Sequence, residues 1–138
     1  MPVANFDRSL SSLQGATVTI SNSTAYPEPG KASIELLFSE GSRLRADYWR
    51  IVTGDKAGLS SFDHQQKYGL PASINAFKEV EQELTGKQVT NARFDLRTGD
   101  LCFSFEGEVE FRVFNFTEYE VWAIHFPEGT GEYSCYAK

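Results

Sequence analysis

Apolar residues recur at every second position from Ile34 to Phe38 and again from Leu101 to Phe105. Glu35 and Leu37 interleave the first run, Cys102 and Ser104 the second. A period of two sends successive side chains to opposite faces, so each run predicts a strand with one buried face. Ahead of each run the period is helical. Over 71–84, Ile74, Phe77, Val80 and Leu84 form one stripe, with Glu79, Glu81 and Glu83 around it. Gly86 follows, where a left-handed residue closes a helix. Val3, Phe6, Leu10 and Leu13 make a second stripe, weakened by serines.

These paired patterns form an internal repeat. Residues 3–19 align without gaps on 74–90 at an offset of 71, matching Phe6 with Phe77, Leu13 with Leu84, Gly15 with Gly86 and Val18 with Val89. With gaps, Ile34, Leu36 and Phe38 pair with Leu101, Phe103 and Phe105. Leu44-Arg45 then pairs with Phe111-Arg112, and Tyr48-Trp49-Arg50-Ile51 with Val121-Trp122-Ala123-Ile124. The first copy has the longer early loop, Ser21 to Gly30, and the second the longer stretch before its Trp. Turns are expected at Arg97–Asp100 and Glu106–Glu108, with strands over 109–115 and 119–126. In the last strand Trp122, Ile124 and Phe126 share one face, and Val121, Ala123 and His125 the other. The expected fold is α+β, with two pseudo-repeats at about 3–53 and 74–126. Each is a helix followed by an antiparallel meander of three or four strands, and the two meanders join as one sheet or pack as two.

A chain of 138 residues and 15.5 kDa fits a single domain. Aromatics at 14% supply bulk for its core. No apolar run approaches the roughly 18 residues of a membrane span. The start, MPVANFDRSL, has no basic-then-apolar leader, so a cytoplasmic protein is expected. Cys102 and Cys135 are then expected to be reduced. With His64 and His125 they make no zinc-ligand spacing, and no metal or cofactor is expected. Charge is uneven. Residues 1–70 balance seven basic against seven acidic side chains, whereas 71–138 hold six against twelve, the whole net charge of −6. Such a field disfavours nucleic acid and favours encounter with a basic partner.

The motifs of nucleotide cradles, hydrolase elbows, zinc proteases and calcium loops are all absent. His64 follows Asp63, but adjacency in sequence does not put a carboxylate on an imidazole. By strand parity Cys102 and His125 both face away from the apolar sets. If those faces coincide, the pair would make a thiolate site. Burial as an ordinary small side chain is the commoner fate of a Cys. Glu108 and Glu110 share a strand side, read as a solvated face. Arg43, Arg45 and Tyr48 offer either cross-strand ion pairs or a recognition patch. The expected partner-binding set is Glu108, Glu118, Glu120, Glu128, Arg43, Arg45 and Tyr48.

Thr98-Gly-Asp-Leu, Val113-Phe-Asn-Phe-Thr-Glu-Tyr-Glu-Val-Trp and Phe126-Pro-Glu-Gly-Thr-Gly-Glu-Tyr-Ser resemble a pattern in small bacterial proteins of unknown function. In size, acidity and lack of motifs the chain also resembles immunity proteins of toxin–immunity pairs, which implies binding and inhibition of a basic toxin domain. The expected function is therefore non-enzymatic binding. The alternative is a small-molecule or enzymatic site between the repeats, near Cys102, His125 and Tyr48. A homodimer joined by strand edges fits either.

Overall fold

The computed structural model describes residues 6–22, 33–54, 56–115 and 120–134. Val3, the loop 23–30, Glu118 and Cys135 lie outside the described residues. In chain order the elements are α1 (Phe6–Ser11), β1 (Val18–Asn22), β2 (Ile34–Phe38), β3 (Arg43–Ala46), β4 (Trp49–Thr53) and β5 (Lys56–Ser60). A 3-10 turn at Ser61–Asp63 precedes the second series: α2 (Ala76–Leu84), β6 (Val89–Phe94), β7 (Leu101–Phe105), β8 (Val109–Val113), β9 (Trp122–His125) and β10 (Gly131–Tyr133).

The strands form two antiparallel five-stranded sheets, sheet I in the order β1-β2-β3-β9-β10 and sheet II in the order β6-β7-β8-β4-β5. The fold is α+β, as the alternation and the helical stripes predict. The meander of each copy keeps its first three strands together. Its last two cross to the sheet of the other copy, so neither sheet belongs to one repeat. The register repeats with the chain: Leu44 faces Ile124 in sheet I, and the equivalent Phe111 faces Ile51 in sheet II. At the crossing, Asp47 N donates to Val121 O and the equivalent Phe114 N to Tyr48 O, both at 2.9 Å. The helices cross too, α1 packing on β6 and α2 on β1.

The two copies meet around Thr17 and Gln88, which form an antiparallel bridge. Beside it Gly15 N donates to Val89 O at 2.8 Å, and the equivalent Gly86 N to Val18 O at 3.1 Å. Such reciprocal bonds are what an internal two-fold requires. Gly15 and Gly86 carry φ of +87° and +80°, the conformation expected after each helix. The α2 helix starts at Ala76, later than the stripe begins, because the Asn75 side chain accepts from Lys78 N at 3.2 Å and caps it there. In β6 an extra residue after Val89 moves the offset from 71 to 72 and turns Ala92 inward, opposite Phe103.

The alternating strand faces meet between the sheets. Phe38 of sheet I lies 5.8 Å from Phe103 of sheet II, ring to ring. Trp49 and Trp122, equivalent in the repeat, are both buried, with Trp122 stacked on Phe6 of α1 at 6.1 Å. The repeat also extends beyond 53 and 126. Gly58 and Gly131 occupy matched places where an added Cβ would lie 3.0 Å from Ile51 O and 2.8 Å from Ile124 O. Ser61 and Ser134, three residues on, are both buried.

Candidate functional site

The outer face of sheet II is banded by strand register. Arg50 of β4 lies opposite Arg112 of β8, Arg112 opposite Cys102 of β7, and Cys102 opposite Arg93 of β6. One step along the strands is a band of Val52, Glu110, Ser104 and Asn91. Beyond it are Gly54 and the turn Glu106–Glu108, with Gly54 N donating to Glu108 O at 2.8 Å. On the other side of the arginines are Tyr48 and Phe114. The Arg50 guanidinium sits 5.9 Å from the Phe114 ring centre, and Tyr48 stacks on Phe62 at 5.4 Å. Two depressions share Arg112. One of about 510 Å³ is lined by Arg93, Leu96, Arg97, Cys102 and Phe114 among others. The other, about 910 Å³ and shallow, is lined by Ser104, Glu106, Glu108 and Glu110 among others.

Of these arginines, Arg112 is held by its own strand. Glu110 Oε1 lies 2.8 Å from Arg112 Nη2 and accepts from Nε at 2.9 Å, and this bond raises the guanidinium pKa further. The Cys102 thiol is pushed up, by burial first and also by Glu110, against the smaller pull of Arg93 and Arg112. It is a protonated thiol at neutral pH rather than an activated nucleophile. The shared face expected for Cys102 and His125 does not form. Cys102 lies on β7 of sheet II and His125, exposed, on β9 of sheet I. Strand parity sets which face of a strand is buried and does not say which sheet the strand joins.

His64 and Asp63 are adjacent but turned to different partners. The Asp63 carboxylate accepts from Ser60 N and from Tyr68 Oη, both at 2.9 Å. His64 Nδ1 accepts from Ala76 N at 3.1 Å, and its ring meets the Phe77 ring at 4.8 Å, edge to face. Burial lowers the His64 pKa. This imidazole completes a helix start, and the neighbouring Asp63 carboxylate is engaged elsewhere.

The expected partner-binding residues separate into three places. Arg43, Arg45 and Glu120 belong to the outer side of sheet I, where they close on carboxylates and on each other. Arg43 pairs with Glu35 at 3.2 Å, and Arg45 with Asp47 at 3.5 Å and Glu120 at 3.3 Å. Tyr48 lies on the link between β3 and β4, just ahead of sheet II, and stacks on Phe62. Glu108 and Glu128 lie on turns, and Glu118 is outside the described residues.

Those turns gather at the end of the molecule that holds the two-fold. Ser39 N donates to Thr17 O at 2.8 Å and Glu106 N to Gln88 O at 3.0 Å, so the β2–β3 and β7–β8 turns flank the bridge. An added Cβ on Gly41 would lie 3.1 Å from Pro127 Cγ, which brings the β9–β10 turn beside the first. Glu40, Glu106, Glu108 and Glu128 are carried there. Among the described residues the ion pairs within 4.0 Å include none of these four.

The arginine band was not legible in the sequence. Arg45 and Arg112 match in the repeat, but Arg50 meets Arg112 only because β4 crosses to the other sheet. Among the described residues no cluster of three metal-ligating side chains occurs, and no helix is long and apolar enough to span a membrane. In comparisons with family models, curated proteins and solved structures, nothing matches the chain.

Proposed function

We propose that the protein is a non-catalytic binding module that recognises a basic macromolecular partner, in the manner of an immunity-type inhibitor. The observation that carries this reading is the gathering of Glu40, Glu106, Glu108 and Glu128 on turns at one end, where among the described residues none of them closes an ion pair within 4.0 Å, although Lys87 Nζ stands beside Gly107. Carboxylates on turns keep their field in solvent, where it steers a cationic partner. The chemistry of the remaining groups supports binding over turnover. The thiol is protonated, His64 Nδ1 is taken by the Ala76 N–H, and His125 lies on the other sheet from Cys102.

Affinity capture tests the reading. The protein and a Glu108→Lys/Glu128→Lys variant are immobilised, and retained proteins are identified by mass spectrometry. Wild type should hold a specific basic protein at low salt and release it as salt screens charges beyond about 8–10 Å. The variant should lose that protein while melting like wild type, since exposed charges contribute about 0–1 kcal/mol each. Equal retention by the two would end the proposal.

A further inference from the structure

The internal repeat supplies its own comparison for the arginine band. Each residue on the outer side of sheet II has an equivalent on sheet I, under the same backbone register. Arg112 corresponds to Arg45, Arg50 to Ala123, and Cys102 to Glu35. On sheet I, Glu35 lies directly opposite Arg45 and pairs with Arg43. That face provides its own carboxylate. On sheet II the equivalent position is a small neutral thiol, and the arginine at Ala123's place stands directly opposite a second arginine. Like charges directly opposite one another destabilise a sheet. Among the described residues Glu110 forms its ion pair with Arg112. Arg93 forms no ion pair within 4.0 Å among the described residues.

Geometry adds a cradle. Arg93 and Arg112 flank Cys102 on the two neighbouring strands, so their backbones stand about 9–10 Å apart. Cys102 is the short floor between them, and the depression of about 510 Å³ opens there. Phe114 and Leu96 line its apolar side, and its two carboxylates are turned to other groups, Asp95 lying 3.9 Å from Arg97 Nε and Asp100 accepting from Asn115 N at 2.7 Å. Forked guanidinium groups on either side of a short residue suit the planar or tetrahedral oxygens of an acid group.

We propose that this depression binds a small organic anion, with its carboxylate or phosphate between Arg93 and Arg112 above Cys102 and its apolar ring against Phe114. The ligand's acid group takes the place that Glu35 fills on sheet I. The site uses residues other than the acidic turns, so its failure and that of the proposed partner binding are distinguishable.

The test titrates the full chain with benzoate, phenyl phosphate and inorganic phosphate at low ionic strength, following backbone amide shifts. At least one probe should saturate the amides of Arg93, Cys102 and Arg112, with a dissociation constant on the order of millimolar or tighter. Arg93→Gln should weaken it about tenfold, the scale of one charge-assisted hydrogen bond. Cys102→Glu, which rebuilds the sheet I arrangement, should abolish binding. Phe114→Ala should weaken the ring-bearing probes and spare inorganic phosphate. A preference for phenyl phosphate or for benzoate assigns the acid group. If no probe saturates, or if Cys102→Glu and Arg93→Gln bind as wild type does, the proposal fails. Arg93 is exposed, so its variant decides the matter even if Cys102→Glu does not fold.

Discussion

Ser61 and Ser134 perform one task in the two halves. The Ser61 hydroxyl accepts from Trp49 N at 3.1 Å, and the Ser134 hydroxyl from Trp122 N at the same distance. Ser134 also accepts from Val121 N at 2.7 Å. Each hydroxyl satisfies backbone donors at the corner where a strand enters the opposite sheet, and those donors are buried away from water. Leaving one buried donor unpaired costs about 1–3 kcal/mol. Ser134→Ala should therefore destabilise by about that amount for each of two donors, and Ser61→Ala by less. Chemical denaturation of both variants checks the order, and equal losses would show that water replaces the hydroxyls. At this scale the sequence was only partly legible. The Trp49–Trp122 match was readable from its flanking residues. The Gly-x-x-Ser runs at 58–61 and 131–134 were not, because Leu59-Ser60 and Glu132-Tyr133 share no chemistry. What unites them is backbone contact, which leaves only a Gly and a Ser as its trace.

Among the elements, the strands with a strict two-residue period were readable because burial acts on alternate side chains. Ile34–Phe38 and Leu101–Phe105 form as expected, buried at every second position. Helix α2 was readable in its stripe but not at its start, which the adjacent Asn75 cap sets together with His64, a side chain distant in sequence. Its first residue, Ala76, gives its backbone N–H to His64 Nδ1 across a loop. A protonated imidazole has no lone pair there to accept it. Burial also lowers the His64 pKa below its ordinary 6.5. The sign follows from proton counting: between the lowered folded value and 6.5 the unfolded chain binds more protons. The contribution of His64 is thus fully present above pH 6.5 and is lost as pH falls through the folded value. In His64→Asn, an amide oxygen that does not titrate can accept the same N–H. The melting temperature of wild type should drop more steeply than that of His64→Asn as pH is lowered from 7.5 to 5. Parallel pH profiles would remove His64 from the account of acid sensitivity.

For the whole molecule, the repeat was legible as a duplication but not as an exchange. Local patterns tell which face of a strand is buried, and Leu44, Phe111, Ile51 and Ile124 carry the same pattern whichever copy they pair with. The exchange depends on the links that cross from one sheet to the other, the two-residue Asp47-Tyr48 between β3 and β4 and the longer one between β8 and β9. It has a mechanical consequence. Sheet II needs β4 and β5 from the first copy, and sheet I needs β9 and β10 from the second, so neither copy has a complete sheet of its own. Helix packing is exchanged as well, which ties α1 to β6 and α2 to β1. Unfolding should then be a single cooperative event rather than the loss of one half followed by the other. Ile51 tests this, being a buried residue of the first copy that sits opposite Phe111 in the sheet of the second. Ile51→Ala should cost about 2–5 kcal/mol through lost burial and a cavity. In native-state hydrogen exchange the slowest amides of β2 and β3 should lose as much protection as those of β7 and β8, although Ile51 belongs to sheet II alone. If only the β4, β7 and β8 amides lost protection while β2 and β3 kept theirs, the sheets would open separately, and the exchanged strands would be a structural link without energetic coupling.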